Sequence, residues 1–205
     1  MRLKHLMFSL VTSFAVALSA LSPVSAAQVI NDVLVVTGGI QLSATLPTTA
    51  PCRLDETGDT SGQITTDGVD STPVITQVYI GEARVDKNCL ATGVAVFNGS
   101  VASGNIKVAL FDANGGIVAV SASTAMSGTT AYQLIPFTAP IAIVGPSRYF
   151  IGEFIDNTTA RFRTFGIGAF AATIQTGQTY ATGFTTITPP TAFGGSGNAP
   201  IASLY

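Results

Sequence analysis

From residue 74 to residue 155 the chain alternates apolar and polar positions in short runs that stop at Gly, Pro or Asn. The runs 74–85, 91–98, 106–111, 117–123, 132–138 and 149–155 each have strand length and are rich in β-branched or aromatic residues, which predicts six strands. Their spacing is that of an antiparallel β-sandwich or jelly roll. The clearest hairpin spans 106–123, where Asn114-Gly115 separates two apolar runs and suits a tight turn. In its first arm Ile106, Val108 and Leu110 alternate with Lys107, Ala109 and Phe111. Period-two alternation predicts one face in the core and the other, carrying Lys107, turned to solvent.

The pattern is weaker on either side. Two short strands, 33–36 and 40–46, joined at Gly38-Gly39, predict an N-terminal β-hairpin arm. Residues 48–73 are rich in Pro, Thr, Asp and Gly with little apolar periodicity, so they are expected to form a long loop tethered at Cys52. The expected organisation is a leader over 1–26, an arm and loop over 27–73, and a β-sandwich domain over 74–205. Beyond Thr158 a second aromatic series appears: Phe162, Phe165, Phe170, Tyr180, Phe184 and Phe193, set among Thr and Gly, with Pro189-Pro190 as a rigid kink. The apolar ending 200–205 suits a docked, closing strand.

The leader follows from the first residues. Arg2, Lys4 and His5 precede an apolar run over 6–21, and Val24-Ser25-Ala26 has the small-x-small form that signal peptidase cleaves. The alternative, an uncleaved anchor, asks this short run to cover a span of about 20 residues. No cysteine follows closely enough for lipidation, and no later stretch is both long and unbroken enough for a transmembrane helix. The mature chain is therefore expected to be secreted, periplasmic or at the cell surface.

Removing the leader changes the chemistry. It takes the single histidine, His5, so serine-histidine and cysteine-histidine nucleophile systems and histidine-dependent zinc sites are excluded. Arg53, Arg84, Lys87, Lys107, Arg148, Arg161 and Arg163 then face all eleven acids, a mildly acidic balance that argues against nucleic acid as a partner. Cys52 and Cys89 are the only cysteines, and in an oxidising compartment a pair of this kind is expected to form one bridge, the competing readings being two buried thiols or a reactive thiol. Charged residues are only 10% of the chain, so Ser, Thr, Asn, Gly and backbone must cover the surface, or a subunit must bury part of it.

Several constellations bear on function. Asp55, Glu56, Asp59, Asp67 and Asp70 gather carboxylates in one loop and are calcium candidates, although the spacing is not that of an EF-hand and a solvated acidic loop is the simpler account. Asp112 with Asn114 resembles a calcium-loop fragment, but a hairpin turn explains both residues. Glu82, Glu153 and Asp156 are the acids a histidine-free glycosidase would draw on. Glu153 lies in an apolar run on the side of Ile151 and Ile155, where burial calls for a cation, and Arg161 or Arg163 is nearest after it. Arg161-Phe162-Arg163 puts two guanidiniums on one strand face, a candidate for acidic ligands or simply a solvated face. With no Trp present, a sugar platform falls to Tyr79, Tyr132, Tyr149 or Tyr180. Asn98-Gly99-Ser100 and Asn157-Thr158-Thr159 fit the glycosylation sequon.

The stretches 104–112 (GNIKVALFD), 131–140 (AYQLIPFTAP), 149–152 (YFIG) and 200–205 (PIASLY) resemble a β-sandwich domain found in bacteriophage virion proteins and related bacterial genes. The resemblance covers about residues 74–205 and implies structural or adhesive duty on a particle or cell surface. The export leader is unusual for a virion subunit and turns that expectation toward a bacterial surface or secreted relative. Residues 29–38 are in turn similar to the short β-hairpin leaders of bacterial fibre-like proteins. The expected function is thus a non-catalytic structural or adhesive protein, with no cofactor, contacting protein or glycan and open to homo-oligomerisation. The alternatives are a carbohydrate-binding module and, behind it, a carboxylate-based glycoside hydrolase.

Overall fold

A computed structural model of the chain describes residues 27–30, 33–36, 51–52, 68–165, 171–190 and 199–205. The chain divides into two compact units, Met1–Leu46 and Pro47–Tyr205. In the first, β1 (Ala27–Ile30) pairs antiparallel with β2 (Val33–Val36), Ile30 facing Val33. The expected strand 33–36 is thus present and its partner is β1. The leader 1–26, the Gly38-Gly39 turn and the strand expected at 40–46 lie outside the described residues.

In the second unit the described strands are β3 (Val69–Ser71), β4 (Val78–Val85), β5 (Cys89–Phe97), β6 (Asn105–Phe111), β7 (Ile117–Val120), β8 (Thr124–Ala125), β9 (Tyr132–Ile143), β10 (Ser147–Ile155), β11 (Phe162–Phe165), β12 (Ala172–Gln175), β13 (Ala199–Pro200) and β14 (Ala202–Leu204). The six runs read from the sequence correspond to β4, β5, β6, β7, β9 and β10. Val69–Ser71, inside the stretch expected to be loop, is strand β3 and pairs with β11. The largest sheet runs β12-β4-β10-β6-β7, with β8 also on β6; β13-β11-β3 and β14-β5-β9 form three-stranded sheets. Every strand ladder is antiparallel.

One hydrophobic cluster joins inward-facing side chains of the large sheet to those of β14-β5-β9 and β11. It holds Tyr79, Val94, Val96, Ile106, Val108, Leu110, Ile135, Ile151, Ile155, Phe162 and Leu204. Burying one such large side chain stabilises the fold by about 1.5–3 kcal/mol. The register of β5 against β9 shifts between Ala91 and Gly93, and this bulge resets the alternation so that Cys89 and Ala91 before it, and Val94 and Val96 after it, all reach the core.

A second cluster covers the other face of the large sheet: Val78, Ile80, Ala109, Phe111, Phe150, Phe154 and Ile187, with Tyr180 and Phe184 packed against it. This corrects the expectation that the Lys107 face of β6 meets solvent. Segment 176–190 crosses that face as a strap, so β4 and β10 are buried on both sides along most of their length. The strap is pinned beside the 112–116 turn, where the Ile187 amide donates to the Gly115 carbonyl at 3.0 Å. Gly115 has φ +85, and a side chain there would strike the Ile187 carbonyl.

Candidate functional site

Two of the three carboxylates considered for hydrolysis, Glu82 and Asp156, are committed elsewhere, and the third, Glu153, is buried without a partner for its Oε1. The Glu82 carboxylate accepts from Arg84 Nε at 3.0 Å and from the Ala171 amide at 2.9 Å, which ties β4 to the entry of β12. The Asp156 carboxylate accepts from the Asn105 amide at 2.6 Å and from its Nδ2 at 2.8 Å, closing the β6–β10 ladder. Glu153 is 1% exposed, opposite Tyr79 on β4 and Val108 on β6, and its Oε1 has no hydrogen-bond partner. Burial pushes its pKa up to about 8, so the group is a neutral acid at lower pH. The ion pair expected with Arg161 or Arg163 is absent, because the turn after β10 carries Arg163 onto the β11–β3 ladder and leaves Arg161 just before it, its backbone bonded to Gly99 and Val101.

On that ladder Arg163 stands in register with Asp70, its Nε 3.7 Å from Asp70 Oδ1 and its Nη1 3.4 Å from the Gly68 carbonyl. Arg161 Nη1 donates to the carbonyls of Thr159 and Ala160 at 3.1 and 2.8 Å. Phe162, between them, is buried, its ring centroid 4.6 Å from that of Tyr79. The arginine pair therefore serves the backbone and Asp70. Burial acts to raise the Asp70 pKa, but the hydroxyl and amide of Ser100, then Arg163 and Arg161, favour the carboxylate and hold it below the ordinary 3.8.

Asp112 accepts the amides of Asn114 and Gly116 through Oδ1 at 2.8 and 2.9 Å, as the turn reading requires. Asp55, Glu56, Asp59 and Asp67 lie outside the described residues. Cys52 and Cys89 are bonded, with Cα atoms 5.0 Å apart, and Cys52 N donates to the Leu90 carbonyl at 2.9 Å. Asn98, the acceptor of the first sequon, is 1% exposed, and its Nδ2 donates to the Ser127 carbonyl and to Gln133 Oε1.

Among the tyrosines, Tyr79 is in the core and donates to Gln77 Oε1 at 3.0 Å. The Tyr149 hydroxyl meets the backbone of Val144. Tyr180 packs on Phe154, centroids 5.2 Å apart, with its hydroxyl 2.9 Å from Ser123 Oγ; it holds the strap in place. Tyr132 differs. It is 54% exposed on the outer face of β14-β5-β9, its ring centroid 4.8 Å from that of Phe97 directly across the ladder.

That outer face is the strongest candidate surface. Alternation along β9 sends Ile135 and Phe137 inward and leaves Tyr132, Leu134 and Pro136 exposed, Leu134 at 55%. On β5 the facing residues are Phe97, Ala95 and Gly93. The Tyr205 ring lies so close over Gly93 that a side chain there would strike it. The exposed part of this face lies on β9, while Ala95 and Ser203 beside it are buried at 0% and 4%, and the face carries no charge.

The charge distribution makes the contrast plain. Every charged side chain among the described residues sits on β3, β4, β6, β10 or β11 or in a turn, and none sits on β5, β9 or β14. A linear signal for this exists in the sequence: residues 113–147 and 164–205 contain no Asp, Glu, Lys or Arg. Low overall charge hides it, since the average says nothing about where charges fall.

Among the described residues no three His, Cys, Asp or Glu side chains gather around a point where a metal ion could sit, and no helix is long and apolar enough to cross a membrane. Comparison with protein-family models, with curated proteins and with solved structures finds no match.

Proposed function

We propose that the chain is an exported, non-catalytic structural or adhesive protein, a jelly-roll-like β-sandwich that makes protein or glycan contacts at a cell or particle surface through the outer face of β14-β5-β9. The observation that carries this reading is the segregation of charge: one sheet is free of charged residues and exposes Tyr132 and Leu134 side by side on β9. An exposed apolar patch on a folded domain marks a place where another surface docks. Pro136 and Pro140 within β9 remove backbone donors and discourage strand addition at that margin of the sheet, which favours contact face-on over contact edge-on. The leader expected over 1–26 and the Cys52–Cys89 bridge support export. The resemblance to the virion-protein domain supports structural duty.

Leu134→Lys tests the reading, because it adds a charge to the face without touching the core. Self-association by light scattering and adsorption to the envelope of the producing cells are measured for both forms of the mature protein. Loss of either property at an unchanged melting temperature supports docking through this face. Retention of both sinks it.

The Phe97–Tyr132 ring pair also favours a second reading, a carbohydrate-binding module that stacks a sugar on Tyr132. A monomer whose melting temperature rises with an oligosaccharide, and no longer does so as Tyr132→Ala, selects that reading.

A further inference from the structure

Glu153 occupies the middle of β10, the strand that pairs with both β4 and β6 in the large sheet. Its side chain lies on the side of Ile151 and Ile155, within the cluster shared with β14-β5-β9. A carboxyl in that position must be neutral or paired, because an unpaired charge in an apolar interior costs far more than the fold can spare. Pairing is absent: Oε1 has no partner, and no ion pair reaches the group.

Among the described residues no cation stands ready to compensate ionisation. On β4, Arg84 and Glu82 engage each other; on β6, Lys107 donates to the Tyr180 carbonyl beneath the strap. On β11, Arg163 stands by Asp70, and on β10 itself Arg148 lies over the Phe150 ring, on the opposite face. β5, β9 and β14 bring no charged residue at all. The one titratable group facing Glu153 from a neighbouring strand is the Tyr79 phenol, whose proton goes to Gln77 and whose pKa burial raises above 10.0.

We propose that Glu153 is a proton-held latch between the sheets: the two layers close around the protonated carboxyl, and loss of that proton loosens β10 from the core. The device is independent of what the outer face binds. It acts in a window that is otherwise quiet, because the described residues include no histidine and no free thiol, the side chains that ordinarily titrate between pH 5 and 9. The sign follows from the direction of the shift. The folded state holds this proton more tightly than the unfolded chain, with a pKa raised from 4.5 to about 8, so the stabilisation is complete below 4.5 and is lost as pH rises through 8. An exported protein with this latch is firmest in acidic surroundings, weakens as pH rises above 4.5 and is loosest in alkaline ones.

The test is thermal unfolding of the disulfide-bonded mature protein from pH 5 to 9, for wild type and Glu153→Gln, with the Glu153 carboxyl followed by carbon-13 NMR in wild type. The wild-type midpoint is expected to fall by about 10 °C or more between pH 6 and 9, while Glu153→Gln stays level and becomes the more stable form at pH 9. The carboxyl is expected to titrate above pH 7. A level wild-type profile, an equal fall in both proteins, or a carboxyl titrating near 4.5 overturns the proposal. If Glu153→Gln does not fold, the wild-type carboxyl titration decides alone.

Discussion

Lys107 and Tyr180, far apart in sequence, grip each other twice: Lys107 Nζ donates to the Tyr180 carbonyl at 2.7 Å and lies 4.6 Å from the centre of its ring. The strap 176–190 has no strand ladder of its own, so anchors of this kind decide whether it covers the second cluster. Tyr180→Ala removes the ring from Phe154, the cation contact and the bond to Ser123 together, and is expected to cost about 2–4 kcal/mol. Tyr180→Phe keeps the ring and loses only the hydroxyl, at about 1 kcal/mol. Urea unfolding of the three proteins gives both values, and limited proteolysis should cut Tyr180→Ala first within 176–190.

The Cys52–Cys89 bridge closes a loop of 37 residues and buries both sulfurs in the main cluster. Replacing both cysteines by Ala should cost about 4 kcal/mol and lower the melting temperature by about 10 °C. Calorimetry with and without reductant checks this: reductant should bring wild type down to the double variant and leave the double variant unmoved.

Local pattern carried much of the fold, and long-range cover carried the rest. Alternation placed Ile106, Val108 and Leu110 in the core and Glu153 on the side of Ile151 and Ile155, because a strand's period needs only its own residues. The opposite face of β6 was misread as solvent-facing, since what covers it is a strap without periodicity that arrives 73 residues later, at Tyr180. The same limit explains the arginines. Arg161 and Arg163 are the nearest cations after Glu153 in sequence, yet the turn at 156–160 leads away from β10 and sets Arg163 against β3, where Asp70 waits. The outer face of β14-β5-β9 was legible only in part: Tyr132 stood out as an aromatic, whereas the absence of charge becomes a surface only once three distant segments align.

Asp70 ties the β3–β11 ladder to the turn after β5, accepting from the Ser100 amide at 3.0 Å and from its hydroxyl while standing beside Arg163. Its folded-state pKa is depressed, so its contribution is present above the ordinary 3.8 and is lost as pH falls through the lower folded value. Asp70→Asn is expected to be less stable than wild type at pH 7, by under about 1 kcal/mol because the site is exposed. The gap should close on acidification. Urea midpoints for the two proteins at pH 7 and at successively lower pH measure it.

Asn98 sits where β5 ends against β11, its backbone amide donating to the Ala131 carbonyl at 3.0 Å and its side chain to the Ser127 carbonyl at 2.7 Å and Gln133 Oε1 at 2.8 Å. Gln133 in turn donates to the Ala125 carbonyl at 2.8 Å, so one buried amide organises the whole β8–β9 connection. Asn98→Asp keeps the shape but turns two donated bonds into contacts between acceptors, and it should cost about 3 kcal/mol, more than Asn98→Ala at about 2 kcal/mol. The same burial settles how the two sequons differ. In a host that glycosylates, a folded molecule cannot present Asn98 to the transferase, whereas Asn157 lies in a turn at the surface, its Oδ1 accepting the Thr159 amide at 2.7 Å. Peptide mass mapping of protein from such a host should find Asn98 unmodified; a glycan there would mean that the β5–β9 connection had not closed around it.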